Sequence, residues 1–457
     1  MTSKQSEQIG LAMTWRTVFA ILTGAAVLTL PAWLNGFPFV FPDSGDYLVF
    51  HPLLHRSPYY GLFIFFFHLN RFIWGPIIAQ AIIVSHLLWM LTRLTGGAER
   101  AESRFLLLAV LLTLLSSLPF FVGFIMADIC TPIMFLAMYM IAFHYEALSR
   151  PMLAYLLLLD CVATSGHITN LPLAVGLLAL FIILVAVRSR RGMRLHALPL
   201  KLLAAPIALT AAAVLLFNGL IFGTWSLSPA SQSFSLANLI AYGPGRHYLH
   251  DVCPRARYKI CAYSDNLPAS ADALLWSSGI FERLGGFPGM QDEARQIVRG
   301  TLETYPAEVA TMIVHNFAAG LVTHAPAAEF RAANFADVPS FPQLIEHKFG
   351  PAALHAFENS AQMHDALPYA LLNYIDRLVF PLSCLGLAIV AATAYRRRDA
   401  ATLALALTTA GFVLGDMLLC TALSGVHDRY QARVTWLVPL TVLLYVLSAR
   451  HKLLSPG

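Results

Sequence analysis

The segment Phe39-Val-Phe-Pro-Asp43-Ser-Gly-Asp46-Tyr47 sets two carboxylates three positions apart, in a turn prepared by Pro42 and Gly45. A carboxylate in such a place can take a proton from a hydroxyl nucleophile, as general-base catalysis requires. The same residues also read as a polar cap on a following helix, since Asp and Ser are good N-caps. A little further on stands His55-Arg56-Ser57-Pro58-Tyr59-Tyr60, a cation among aromatics. That grouping suits a lipid phosphate and equally an interfacial belt of Tyr and Arg.

Asp128 is a lone acid in Phe124-Ile-Met-Ala-Asp128-Ile-Cys130, between apolar runs. Ionisable residues at membrane depth face an interior or a cavity and mark functional sites, although a helix cap in a tight turn uses the same residue. Near the end, Arg429 and Arg433 in His427-Asp-Arg429-Tyr430-Gln-Ala-Arg433 are one helical turn apart, so both can point at one anion. Their alternative is a structural pairing of Asp428 with an arginine. His167, in Ser165-Gly-His167-Ile-Thr-Asn170, reads either as a structural histidine or as a substrate contact. Asp160 and Asp416 lie inside apolar runs and receive no role.

These side chains need elements to hold them, and composition says which. Of 457 residues, 58% are hydrophobic and only 12% are charged, about half the charge of an average soluble domain at roughly 25%. A mean hydropathy of +0.65 requires a lipid-facing surface, so an all-α polytopic membrane protein is expected. The net charge of +5 sits in short clusters between apolar runs and gives no reason to expect a nucleic-acid partner. Lys4 and Arg16 before the first apolar run resemble a signal peptide, but no small-residue cleavage site follows, so a retained first helix is expected.

A bilayer core of about 30 Å takes roughly 20 apolar residues per helix. On that rule about ten spans are expected: Trp15–Leu34, Trp74–Leu94, Phe105–Gly123, Ile129–Ala147, Met152–Ser165, Leu171–Val187, Leu200–Phe222, Tyr369–Tyr395, Ala401–Leu423 and Val434–Ala449. Ten spans put the basic clusters on one face: Arg16, Arg93 with Arg100 and Arg104, Arg150, Arg188 to Lys201, Arg396 to Arg398, and Arg450 with Lys452. The positive-inside rule makes that face cytoplasmic, with both termini on it. The division expected is a transmembrane module over 1–222, a small, mainly helical outer domain over 223–368 and C-terminal helices over 369–457. In the outer domain, Asp272–Leu284, Asp292–Thr304 and Ala307–Thr323 have helical periodicity. Leu62–Arg71 reads as an amphipathic interfacial helix.

Six cysteines are present; Cys130, Cys161, Cys384 and Cys420 fall in or beside apolar runs and read as packing residues. Cys253 and Cys261 lie in a polar stretch, where a local disulfide is one possibility.

Acids after the first and third spans, and arginines before the last, all fall on the outer face. A polyprenyl-phosphate sugar presents an anionic phosphate there and a tail in lipid, and its transfer needs a base for the acceptor hydroxyl and cations for the departing phosphate. The arrangement resembles the GT-C fold glycosyltransferases, which include protein O-mannosyltransferases and the aminoarabinose transferases that modify lipid A. Asp43-Ser44-Gly-Asp46-Tyr47 resembles their acidic Asp-Glu-x-x-Tyr motif, with Ser44 in place of the second acid. Arg56–Tyr60 resembles the Pro-Tyr segment that follows, Phe124–Ile129 the second acidic motif with Asp128 at the acid, and Arg429-Tyr430 the Arg-Tyr pair near the last spans.

The resemblance implies a bacterial inner-membrane transferase with an undecaprenyl-phosphate-linked donor, an inverting mechanism, and a glycan, lipid or protein acceptor. Asp43 would be the base, with Asp46 or Asp128 orienting acceptor or sugar. Arg56, Arg429, Arg433 and Tyr430 would hold the donor phosphate, and Tyr47, Tyr59, Tyr60 and His167 would contact substrate. A cofactor is either not required or is a divalent metal, since some relatives use one and others do not. Two other classes share this outline. A surface polysaccharide polymerase or ligase would rely on Arg246, His247 and His250, and a transporter would show internal repeats, which the sequence lacks.

Overall fold

In lipid, a chain can satisfy its backbone polar groups only within helices or closed barrels, and the computed structural model is helical. It describes residues 13–190, 197–336 and 338–454, with side chains for 13–187, 197–336 and 338–448. Lys4, Arg191 and Arg194 lie outside the described residues, as do the side chains of Arg188, Arg190, Arg450 and Lys452. Among the described residues no β-strand occurs; a single isolated parallel bridge joins Phe39 to Phe124.

Among the described residues, seven helices are long and apolar enough to cross a membrane: Gly75–Gly96, Ala127–Ala147, Asn170–Val187, Leu200–Phe222, Tyr369–Arg396, Ala400–Leu423 and Asp428–Ser448. The protein is therefore an all-α polytopic membrane protein. The other three expected spans are also helical, but shorter. Trp15–Leu34 divides at Thr29 into α1 (Trp15–Leu28) and α2 (Leu30–Asn35), where Pro31 opens the second piece. Phe105–Gly123 divides at the extended Ser116 into α3 (Ala101–Leu115) and α4 (Leu118–Val122), again with a proline in the first turn. Met152–Ser165 is a helix of 17 residues, α5 (Arg150–Gly166).

The two breaks place the loops that follow them. Gly36, at φ +82°, ends α2 in the left-handed region that suits glycine. The chain then runs beside the end of α4: Phe39 N–H donates to Gly123 O (2.9 Å), and Ile125 N–H donates to Phe39 O (3.0 Å). Phe39 stacks on Phe330 (4.5 Å), which meets Phe124 edge-on (4.9 Å). Gln362, fully buried, donates from Nε2 to Val40 O (2.6 Å) and accepts from Val40 N–H (3.2 Å). The loops after the first and third apolar runs and the 325–363 segment are thus one packed unit.

The region 223–368, expected as an outer domain, contributes to two cores rather than one. Residues between Ala230 and Met312 bury their own apolar cluster, while Ala327, Phe330, Phe335, Phe341 and Phe357 join the membrane helices' core. Helices form at Gly286–Thr304 and Pro306–Gly320. The stretch expected as one helix over Asp272–Leu284 is instead a π turn at Ala273–Ser277 and a short helix at Ile280–Arg283, parted at Gly279 (φ +63°). Cys253 and Cys261 are disulfide-bonded. Leu200–Phe222 and Tyr369–Arg396 bury only 17% of their most apolar windows; the rest is the lipid-facing surface that the composition requires.

Candidate functional site

Pro42 starts the helix that carries the first acids, α6 (Pro42–Val49), and Ser44 Oγ accepts from Phe41 N–H (3.0 Å) to fasten its first turn. Asp43 and Asp46, three positions apart on that helix, face the same way. Both meet Arg56: its Nη2 is 2.5 Å from Asp43 Oδ1 and its Nε is 3.1 Å from Asp46 Oδ2. Ser57, next in the chain, caps Pro58–His68 and donates to Ser165 O (2.5 Å), fixing Arg56 beside the end of α5. His55 Nε2 stands 3.8 Å from Asp46 Oδ2. Burial alone would raise the Asp46 carboxyl; His55 and Arg56 outweigh it and hold the group below its ordinary value.

The second arginine comes from the far end of the chain, on α7 (Asp428–Thr435). Asp428 Oδ1 accepts from Ala325 N–H (2.5 Å), tying that helix to the 325–363 segment. Arg429 Nη2 donates to Asp43 Oδ2 (3.3 Å). Its Nε is 3.9 Å from Asp128 Oδ2, and its Nη1 is 3.8 Å from Glu329 Oε2. The guanidinium also lies over the Phe41 ring (4.7 Å) and the Tyr430 ring (5.3 Å). Neither Nε nor Nη1 of Arg429 has a hydrogen-bond acceptor.

Arg433 is one turn deeper and fully buried. A two-pronged contact holds it to Asp416, Nη2–Oδ1 at 2.6 Å and Nε–Oδ2 at 3.3 Å. Nη2 also donates to Thr169 Oγ1 (3.1 Å), and Nη1 donates to His167 Nε2 (3.3 Å). That last bond requires an unprotonated nitrogen. Burial, together with the charges of Arg433, Arg429 and Arg56, holds the imidazole well below its ordinary value. Asp128 lies between the two arginines, 3.6 Å from Arg433 Nη1, and neither of its oxygens has a hydrogen-bond donor.

A cavity of about 760 Å³ opens beside this cluster. Its lining includes Tyr47, Arg56, Tyr59, His167, Arg429 and Tyr430. Apolar side chains of three membrane helices also line it, Leu171 and Val175 on one, Ile207, Val214 and Phe217 on the second and Leu419 and Leu423 on the third, together with the polar Thr210, Asn218, Ser231 and Gln232. A largely apolar chamber that includes two guanidinium groups suits an amphiphile with an anionic headgroup.

The sequence-selected residues thus sort into two sets. Arg56, Arg429, Tyr430, Tyr47, Tyr59 and His167 line the cavity, while Asp43, Asp46 and Asp128 stand behind the arginines. Arg433 does not reach the cavity, because Asp416, Thr169 and His167 occupy its donors. Tyr60 is also displaced from the expected role: it is buried against Tyr47 (5.0 Å), and its hydroxyl donates to Gln80 Oε1 (2.6 Å). Ser44, which stands in place of the second acid of the resembled motif, is the cap described above. Glu329, which carries no local sequence signal, joins Asp43 and Asp128 around the Arg429 guanidinium.

The cations of the 223–368 region that a polymerase or ligase would use stand elsewhere. Arg246 donates to the carbonyls of Ile240 and Leu267, and His247 pairs with Glu308 at an exposed position. Among the described residues no group of three or more His, Cys, Asp or Glu side chains is arranged to hold a metal ion. Asp43, Asp128 and Glu329 surround a guanidinium, which takes the place of a cation, so these residues do not fit a divalent ion. Comparison with family models, with curated proteins and with solved structures finds no match for this chain.

Proposed function

We propose that this chain is a membrane glycosyltransferase that moves a sugar from an undecaprenyl-phosphate-type lipid donor to an acceptor hydroxyl on the outer face. The observation that carries the reading is the cavity, whose lining joins Arg56 and Arg429 to apolar side chains of two lipid-facing helices. A lipid-linked sugar has that polarity pattern, and guanidinium groups stabilise the phosphate as it departs. Tyr47, Tyr59 and Tyr430 supply aromatic surface around the headgroup.

In this reading Asp43 accepts the proton of the acceptor hydroxyl while the new glycosidic bond forms and the sugar–phosphate bond breaks, the electron pair leaving with the lipid phosphate. Attack on the anomeric carbon from the face opposite the departing phosphate inverts that centre. Asp46 and Asp128 hold the arginines in place, and Arg433 fixes Asp128 from below. The three shorter helices complete ten crossings in a GT-C arrangement, with both termini cytoplasmic and the site on the periplasmic face of a bacterial inner membrane. The short α5 is about 26 Å long at 1.5 Å per residue, near the hydrocarbon thickness.

The test is turnover by the purified protein in detergent, supplied with polyprenyl-phosphate sugars and a mixed lipid and glycan acceptor pool. Release of polyprenyl phosphate coupled to glycosylation of an acceptor supports the reading. Concentrative uptake of a solute into proteoliposomes, with no transfer, overturns it.

A further inference from the structure

The site holds three guanidinium groups, Arg56, Arg429 and Arg433, against five carboxyl groups, Asp43, Asp46, Asp128, Asp416 and Glu329. With every group ionised, the cluster carries two negative charges in excess. A lipid phosphate arriving beside Arg429 adds to that excess in a buried setting, where uncompensated charge is costly. Binding is therefore coupled to neutralisation of a carboxyl group.

The contacts say which one. Asp43 lies within reach of two guanidinium groups, at 2.5 and 3.3 Å. Asp46 is bound at 3.1 Å and Asp416 at 2.6 Å. Asp128 sits between two guanidiniums and is sealed from water at 1% exposure. Glu329 has one loose partner, Arg429 Nη1 at 3.8 Å, and its side chain is 20% exposed. The groups facing it are Arg429 and His427, which favour its charged form, and Asp128 and Asp43, which oppose it. Burial is the largest influence, and the carboxyl is raised above its ordinary value. Arg429 Nη1, the nitrogen nearest Glu329, is a donor with no acceptor.

We propose that binding of an anionic headgroup at Arg429 takes up one proton at Glu329. Ionised, Glu329 competes with the headgroup for Arg429; neutral, it leaves that guanidinium to the phosphate. This rests on the reading of the cavity as a lipid-phosphate site and adds the residue that sets its pH dependence.

Calorimetric titration of the full-length protein with methyl farnesyl phosphate tests it. That phosphodiester keeps one negative charge from about pH 5 to about pH 8, so its own ionisation does not contribute. Wild-type affinity is expected to fall as pH rises, by up to about tenfold per pH unit for one proton. Repeating the titration in buffers of different ionisation enthalpy should show proton uptake on binding, a readout that needs no variant. Glu329→Gln should bind with a flat pH profile and without proton uptake, while His427→Gln keeps the wild-type slope. Binding with no pH dependence or proton uptake in wild type, or an unchanged slope in Glu329→Gln, overturns the inference and leaves the lipid-phosphate site standing. Absence of binding at every pH, in folded protein, overturns the site itself and the inference with it.

Discussion

Asp43 and Arg429, 386 positions apart in the chain, meet across an ion pair of 3.3 Å between Oδ2 and Nη2. Each arrives by a local device: Asp43 in the first turn of a proline-started helix, Arg429 on a helix tethered through Asp428 to Ala325. Their meeting joins the loop after the first apolar run to the last membrane helix beside the cavity.

Asp43→Asn keeps the shape and removes the base. Transfer should fall by about 10²–10⁴-fold, while binding of the donor is not lost, because Arg56 and Arg429 remain. A transfer assay with wild-type and variant protein, each checked for a monodisperse folded state, measures this. Normal transfer by the variant would remove Asp43 from the mechanism.

Arg429→Ala leaves Asp43, Asp128 and Glu329 without their shared cation. Removing one partner of a buried ionic group costs about 3–5 kcal/mol, so the melting temperature should drop and donor binding should be lost. Arg429→Lys should recover stability more than binding, because an ammonium lacks the planar fork that matches phosphate.

Arg433 and Asp416 form the most buried pair, and neither reaches the cavity. Single substitutions, Arg433→Leu or Asp416→Leu, should each destabilise by about 3–5 kcal/mol; the double substitution should recover a large part of that loss. Thermal unfolding of the four proteins gives the coupling. Additive losses would show that the pair is not a unit.

His167 supplies a pH prediction. Its folded-state value lies well below the ordinary 6.5, so the unfolded chain binds the extra proton first and stability falls as pH drops below about 6.5. His167→Gln should flatten the melting-temperature profile on that acidic side. An identical profile would mean that another group dominates.

Much of this was legible in the sequence because charge is scarce in an apolar chain. Asp43, Arg56, Asp128 and Arg429 stand out against their surroundings, and the structure gathers all four. The helical repeat also put Arg429 and Arg433 on one face, and Asp128 does touch both. What periodicity omits is depth: one turn further into the protein, Arg433 is enclosed and meets Asp416 instead of the cavity. Span lengths slipped for a related reason, since Pro31 and Pro119 restart helices inside runs whose hydropathy is continuous. Glu329 had no local signal at all. It is one acid among many in a polar stretch, and only the packing of Phe330 on Phe39 and Phe124 brings it to Arg429.

The apolar wall offers a test of tail recognition. Val214→Trp fills the hydrocarbon part of the cavity. It should raise the KM for long-chain donors more than for short-chain ones, with kcat on the short-chain donor preserved. Equal effects on both would place the tail elsewhere.

The most direct measurement is an experimental structure of the protein with a polyprenyl phosphate bound. Phosphate density is expected within hydrogen-bond reach of Arg56 and Arg429, with a chain running between the helices that carry Val175 and Phe217. Phosphate density remote from both arginines, with the cavity left to solvent, would contradict it.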